Sequence, residues 1–122
     1  MDSNKIPVIR LADVKEILDA EVVVGHDKLD TEVSGGAASD LMSDILRNTK
    51  EGALLLTGLN SVQVIRTSVI AGMAGVVFVR GKKPNDDVLE IAREHNLPIL
   101  KTNFNMYSSC GKLYNRGLKS TR

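Results

Sequence analysis

Four polar stretches stand directly after short apolar runs: Gly25-His26-Asp27, Thr57-Gly58-Leu59-Asn60, Arg80-Gly81-Lys82-Lys83 and Lys101-Thr102-Asn103. Guanidinium and ammonium groups hold anions, while hydroxyls and amides add neutral hydrogen bonds. A second pattern is Ser34-Gly35-Gly36 ahead of Ser39, which reads as a helix N-cap. Glycines before a helix let backbone N–H groups converge on an anion at the positive end of the helix dipole. Ser61 also precedes a helical stretch. The candidate ligand set is therefore Ser34, Gly35, Gly36, Ser39, Thr57, Asn60, Ser61, Arg80, Lys101 and Thr102, and its ligand is a small anion. Polar loops are common without any ligand, and Gly35-Gly36 also suits a plain turn.

Other chemistries find less support. Lys82, Lys83 or Lys101 working with His26 would be the parts of a small enzyme, yet no nucleophile stands with a base in sequence. Gly81-Lys82 follows an apolar run, but no glycine stands five residues earlier and Pro84 interrupts the helix start that a phosphate loop needs. His26, His95 and Cys110 are scattered, with none of the pairwise spacings of metal ligands. Cys110 shares an apolar stripe with Met106 and Leu113, so it reads as a small buried hydrophobe. Asp86 and Asp87 sit where a helix N-terminus favours negative charge. Asp40 and Asp44 form a like-charge pair on one helix face. No cofactor is expected.

The 122 residues suffice for one domain, residues 1–122, with a core over about 8–118. Hydrophobic residues at 43% and charged residues at 25% match a globular chain and argue against disorder. Sixteen Lys and Arg against 15 Asp and Glu leave a net charge of +1, no general reason to bind nucleic acid or an anionic membrane. A single cysteine cannot close an internal disulfide, which favours a reducing, cytoplasmic setting. No apolar run approaches the ~20 residues of a membrane span, and Met1-Asp2-Ser3-Asn4 does not open a signal peptide.

The elements alternate. Leu11, Val14, Ile17 and Leu18 keep helical spacing, and Glu21–Val24 reads as a strand stopped by Gly25. Residues 27–38 read as loop, with Val33 adding a strand residue at most. A second helix is expected to bury Leu41, Met42, Ile45 and Leu46 and to end near Thr49. Ala53–Leu56 is a strand covered on both faces. Ser61 caps a third helix facing inward through Val62, Ile65, Val69 and Met73 and closed by Gly75. Val76–Val79 is a strand, Asn85 caps a helix that Asn96 ends in the left-handed conformation, and Leu97–Leu100 is the last strand. Asn105–Arg116 is a helix carrying Met106, Cys110, Leu113 and Tyr114 inward, after which Lys119–Arg122 frays. Strands joined by single helices require right-handed crossovers. The expected fold class is α/β: a single domain with a mostly parallel sheet of about four strands and helices on both faces, its ligands at the strands' carboxyl ends.

Three segments carry a family resemblance: Leu29-Asp30-Thr31-Glu32-Val33-Ser34-Gly35-Gly36 with Ser39-Asp40-Leu41; Ala71 to Val79; and Gly81-Lys82-Lys83-Pro84 followed by Leu97-Pro98-Ile99-Leu100. From Gly25 to Leu118 the chain resembles the DRTGG domain and the related amino-terminal domain of HPr kinase/phosphorylases. The resemblance implies that fold and a non-catalytic regulatory or sensor module. Such modules accompany nucleotide-sensing CBS pairs in some pyrophosphatases, which makes an adenine nucleotide the first anion to consider. It further implies action by self-association, by a protein partner or by ligand capture. A homodimer is expected from the small core, the module's usual dependence on attached domains and the Met and Leu of the second helix. The small enzyme read from Lys82, Lys83 or Lys101 with His26 is the alternative. The family's Gly-Asp-Arg after the second strand is Thr57-Gly58-Leu59-Asn60 here, and its Thr-Gly-Gly is Val79-Arg80-Gly81. Both polar signatures are altered while the scaffold glycines remain.

Overall fold

Consecutive residues of the central strands face opposite ways, and both faces are apolar. Leu54, Leu56, Val77 and Leu100 enter one core; Leu55, Val76, Phe78 and Ile99 enter another. A strand with two buried faces needs helices on each, and the computed structural model, which describes residues 8–121, has that layering. Met1–Pro7 and Arg122 lie outside the described residues, and with them the expectation that Met1-Asp2-Ser3-Asn4 opens no signal peptide and the fraying expected of Arg122.

In chain order the elements are β1 (Ile9–Arg10), α1 (Leu11–Ile17), β2 (Glu21–Val24), β3 (Glu32–Val33), β4 (Gly36–Ala38), α2 (Met42–Asn48), β5 (Leu54–Thr57), α3 (Val62–Ala71), β6 (Gly75–Phe78), α4 (Asp86–Glu94), β7 (Ile99–Lys101) and α5 (Met106–Asn115), with one 3-10 turn at His26–Lys28. The main sheet has five strands rather than four, in the order β2-β7-β6-β5-β4; β1 and β3 form a separate antiparallel pair. Strands β4, β5, β6 and β7 are parallel, whereas β2 runs antiparallel along β7. The residues of α1 and α5 cover one face and those of α2, α3 and α4 the other.

The fifth strand is β4, in a stretch whose composition predicts a loop. Gly36-Ala37-Ala38 has no β-branched or aromatic residue, so its strand character comes from pairing, with Leu54, Leu55 and Leu56 on one side and, at Gly36, with the C-terminal segment on the other. Lys119–Thr121 then pack beside β4 instead of fraying. Gly36 N–H donates to Lys119 C=O at 2.8 Å, Thr121 N–H donates to Gly36 C=O at 3.0 Å, and Thr121 is buried. Gly35 makes this approach possible, since a Cβ there would stand 2.8 Å from Thr121 Cα.

Three apolar faces differ from their expected orientation. In α2 Met42 and Ile45 are buried, but Leu41 and Leu46 are 62% and 50% exposed. In α3 the buried positions are Val64, Ile65, Thr67 and Ser68, leaving Val69 and Ile70 outward. Apolar residues of α3 fall on more than one side, with Val64 and Ile65 inward and Val69 and Ile70 outward, and packing between α2 and α4 chooses the buried face. Gly72, at φ 70°, closes α3 in the left-handed conformation, whereas Gly75 opens β6. In α5 Leu113 points inward and Tyr114 outward.

Candidate functional site

The strand register divides the ten predicted site residues between two ends of the sheet. Gly36, Leu54 and Gly75 share one level, and Thr57 and Phe78, then Lys101, mark the other. Ser34, Gly35 and Gly36 therefore stand at the amino ends of the parallel strands, away from Thr57, Arg80, Lys101 and Thr102. They precede a strand rather than a helix: α2 begins at Met42, and Ser39 Oγ accepts the Leu41 N–H at 2.9 Å. Ser34 Oγ donates to the Glu51 carbonyl at 2.9 Å. The Gly36 backbone hydrogen-bonds the C-terminal segment through Lys119 and Thr121.

His26 is displaced in the same way. Because β2 runs antiparallel, Glu21 pairs with Lys101 while Val24 pairs with Ile99, so the end of β2 lies at the opposite rim. His26 and Lys101 consequently do not form one site. Lys101 Nζ instead lies 3.5 Å from Glu21 Oε1. Lys82 and Lys83 follow β6 as exposed side chains.

At the carboxyl ends most of the expected ligand groups hold the loops together. Thr102 is buried and its hydroxyl donates to Leu18 C=O at 2.7 Å. Ser61 Oγ caps α3 by accepting the Gln63 N–H at 3.1 Å. Asn60 Oδ1 accepts the Asn85 N–H at 3.0 Å, which ties the β5–α3 connection to the start of α4. The Asn85 side chain makes no capping bond of its own.

Arg80 is different. Its backbone is left-handed at φ 67° and the next residue, Gly81, follows at φ 71°. Arg80 N–H donates to Phe104 C=O at 2.8 Å and Gly81 N–H to Thr102 C=O at 2.7 Å. These bonds fix a conformation that costs a non-glycine residue about 1–2 kcal/mol. The guanidinium lies over Gly58, where a Cβ would stand 2.6 Å from one terminal nitrogen. Among the described residues no carboxylate comes within ion-pair distance of it.

Gly58 also links Arg80 to a residue that the sequence reading missed as a site member. Asp40 Oδ1 accepts both the Gly58 N–H and the Thr57 hydroxyl, each at 2.8 Å. These two bonds, with a smaller contribution from the Arg80 charge, hold the Asp40 carboxyl below the usual range against a modest opposing effect of burial. Asp40, Gly58, Val79, Arg80, Asn105, Met106 and Tyr107 line a cleft of about 310 Å3. That is the lower end of the ~300–1,000 Å3 typical of ligand clefts. Asn105 caps α5, its Oδ1 accepting the Ser108 N–H at 2.8 Å, and Tyr107 is 88% exposed beside the opening. Asp40 stands in the Asp40/Asp44 pair and in the Ser39-Asp40-Leu41 segment, but only the Gly-Ala-Ala strand before it places it beside Thr57 and Gly58.

The model of the DRTGG domain family matches residues 13–115. The chain belongs to the DRTGG domain family. An uncharacterized Bacillus subtilis protein, YtoI, is 31% identical over 109 residues, 86% of this chain and 24% of that protein. A solved structure of the CBS and DRTGG domains from the regulatory region of Clostridium perfringens pyrophosphatase, complexed with its activator diadenosine tetraphosphate, superposes with a TM-score of 0.71 at 12% identity. It matches 85% of this chain and 45% of that one. This DRTGG domain thus spans about a quarter of the curated relative and under half of the solved one. The likeness to the pyrophosphatase region, at that identity, concerns the fold. Among the described residues no three His, Cys, Asp or Glu side chains converge as metal ligands would, and no helix is long and apolar enough to cross a membrane.

Proposed function

We propose that this DRTGG domain is a non-catalytic regulatory module that binds a small anionic ligand, an adenine nucleotide first among them, in the cleft between Asp40, Arg80 and Tyr107. One observation carries this reading: Arg80 is held in a costly backbone conformation with its guanidinium at a cleft and without an ion-pair partner among the described residues. Asp40 lies near enough to feel the Arg80 charge but beyond ion-pair distance, so the guanidinium at this strained position is suited to an incoming anion. The pyrophosphatase regulatory region that shares the fold answers to a nucleotide activator, which supports the ligand class. Thr57, Asn60, Ser61 and Thr102 act by holding the loops that frame the cleft. The setting we propose is cytoplasmic.

The test is thermal unfolding with AMP, ATP or diadenosine tetraphosphate. A ligand at 100 times its Kd raises stability by about 2.7 kcal/mol. The shift is expected for the parent and lost in Arg80→Ala. An equal shift in both proteins would remove the cleft from consideration. Incubation of the same nucleotides should release no product above a heat-treated control.

Self-association is the second component, and exposed side chains favour it. Leu41 and Leu46 beside α3, and Val69 and Ile70 on α3, turn apolar groups outward from two helices that pack on one another. Light scattering at micromolar concentration should give twice 13.2 kDa. A monomer throughout that range would refute the dimer.

A further inference from the structure

Asp40 makes the cleft an unusual anion site, because a carboxylate stands beside the cation. Gly58 touches both: its N–H binds Asp40 Oδ1, and its missing side chain leaves room for the Arg80 guanidinium. The carboxylate is fixed through one oxygen by two donors, so it does not swing away when a ligand enters. A bare phosphate entering this cleft meets attraction from Arg80 and repulsion from Asp40 at close quarters. A ligand that carries hydroxyl donors next to its anionic group meets two complementary partners instead. We infer that Asp40 is the specificity residue of the cleft, selecting ligands that place a vicinal diol against its carboxylate and a phosphate against Arg80, and rejecting inorganic phosphate. This inference rests on the cleft being the ligand site.

A ribonucleoside monophosphate fits these requirements on three counts. Its 5′-phosphate is the anion, its 2′,3′-diol supplies the donors, and its base has a face to lay on an aromatic ring. Tyr107 lines the same cleft and has nearly its whole ring in solvent, so stacking there needs no rearrangement of the core. The cleft volume of about 310 Å3 suits one such nucleotide and not the whole of a dinucleotide. Asp40 stays ionised at neutral pH through its bonds to Gly58 and Thr57, so the discrimination holds there.

The experiment is calorimetric titration of AMP, 2′,3′-dideoxyadenosine monophosphate and inorganic phosphate into the parent, Asp40→Asn and Gly58→Ala. Asparagine keeps an oxygen for the Gly58 N–H and the Thr57 hydroxyl, so the loop is preserved while the charge is lost. For the parent, AMP should bind ~10-fold or more tighter than the dideoxy analogue, the effect of hydrogen bonds to a charged group, and phosphate should not bind. Asp40→Asn should lose the preference for the diol and gain phosphate binding. Gly58→Ala, which displaces only the flexible end of Arg80, should weaken AMP and its analogue alike. If Asp40→Asn keeps the full preference and still excludes phosphate, Asp40 does not set specificity even though the cleft binds. If none of the three probes binds any of the proteins, the cleft is not the ligand site and the inference falls with it.

Discussion

The two ends of the parallel sheet use glycine for opposite purposes. At the amino ends, two glycines, Gly35 and Gly25, are closed by backbone. A Cβ on Gly35 would stand 2.8 Å from Thr121 Cα, and one on Gly25 2.9 Å from Pro98 Cα. At the carboxyl ends the neighbours are flexible polar tips: the Arg80 guanidinium at 2.6 Å from a Cβ on Gly58, and the Asn103 amide oxygen at 2.8 Å from one on Gly81. Backbone packed on backbone has nowhere to go, so the first end is part of the fold. A side-chain tip can rotate aside, so the second end can open for a ligand.

Substitutions at these glycines test that contrast. The largest effect is expected from Gly35→Val, where two γ-methyls must fit against the Thr121 backbone. Urea unfolding should show a loss of about 3 kcal/mol, the upper range for overpacking. A loss below ~1 kcal/mol would mean that the C-terminal segment moves freely and that the contrast between the ends is false. Because Gly35 lies against the Thr121 backbone, this variant tests the closure of the β4 edge.

Arg80→Gly probes the other end with the opposite sign. Removing Cβ from a left-handed residue relieves strain, partly offset by the greater freedom of glycine in the unfolded chain. A net gain of about 0.5–1 kcal/mol, a few degrees in Tm, is expected together with loss of the nucleotide response. A stabilised variant that no longer binds would show strain retained for function. Destabilisation instead would mean that the guanidinium holds the loop.

A weaker effect follows from Asp40. Its carboxyl is depressed chiefly by the Gly58 N–H and then by the Thr57 hydroxyl, so its folded pKa lies below the unfolded value. Its contribution is therefore complete above the ordinary carboxyl range near ~4 and is lost as pH falls through the depressed value. The stability difference between the parent and Asp40→Asn should be constant from pH 5 to 7 and should shrink toward pH 2. A difference unchanged by acid would show that the two bonds to Oδ1 do not favour the charged form. Smallest of all, Gly58→Ala should alter stability by no more than ~0.5 kcal/mol, because only a side-chain tip must move. A loss comparable to that of Gly35→Val would erase the distinction between the two ends.

By itself the sequence determined the layered α/β plan. Leu54-Leu55-Leu56 and Val76-Val77-Phe78 are apolar without interruption, which only a strand covered on both faces tolerates, and the helices between them require parallel crossovers. It also determined the local stops and starts: Ser61 caps α3, and Asn96 takes the left-handed conformation at φ 53° after α4. The carboxyl-end location of Thr57, Arg80, Lys101 and Thr102 was legible for the same reason, since strand direction places them. Only the tertiary structure decided the fifth strand, because Gly36-Ala37-Ala38 has no strand preference and becomes a strand by hydrogen-bonding to β5. The antiparallel course of β2, which parts His26 from Lys101, was decided in the same way by its pairing with β7. Asp40 joined Arg80 at one cleft for a related reason. Asp40 and Thr57 are seventeen positions apart, and bonds from the Thr57 hydroxyl and the Gly58 N–H bring Asp40 to the end of β5. Periodicity and capping act within about one helical turn, so sequence can state them. Edge pairing and side-chain convergence depend on what the folded chain lays alongside, and no local pattern encodes that neighbour.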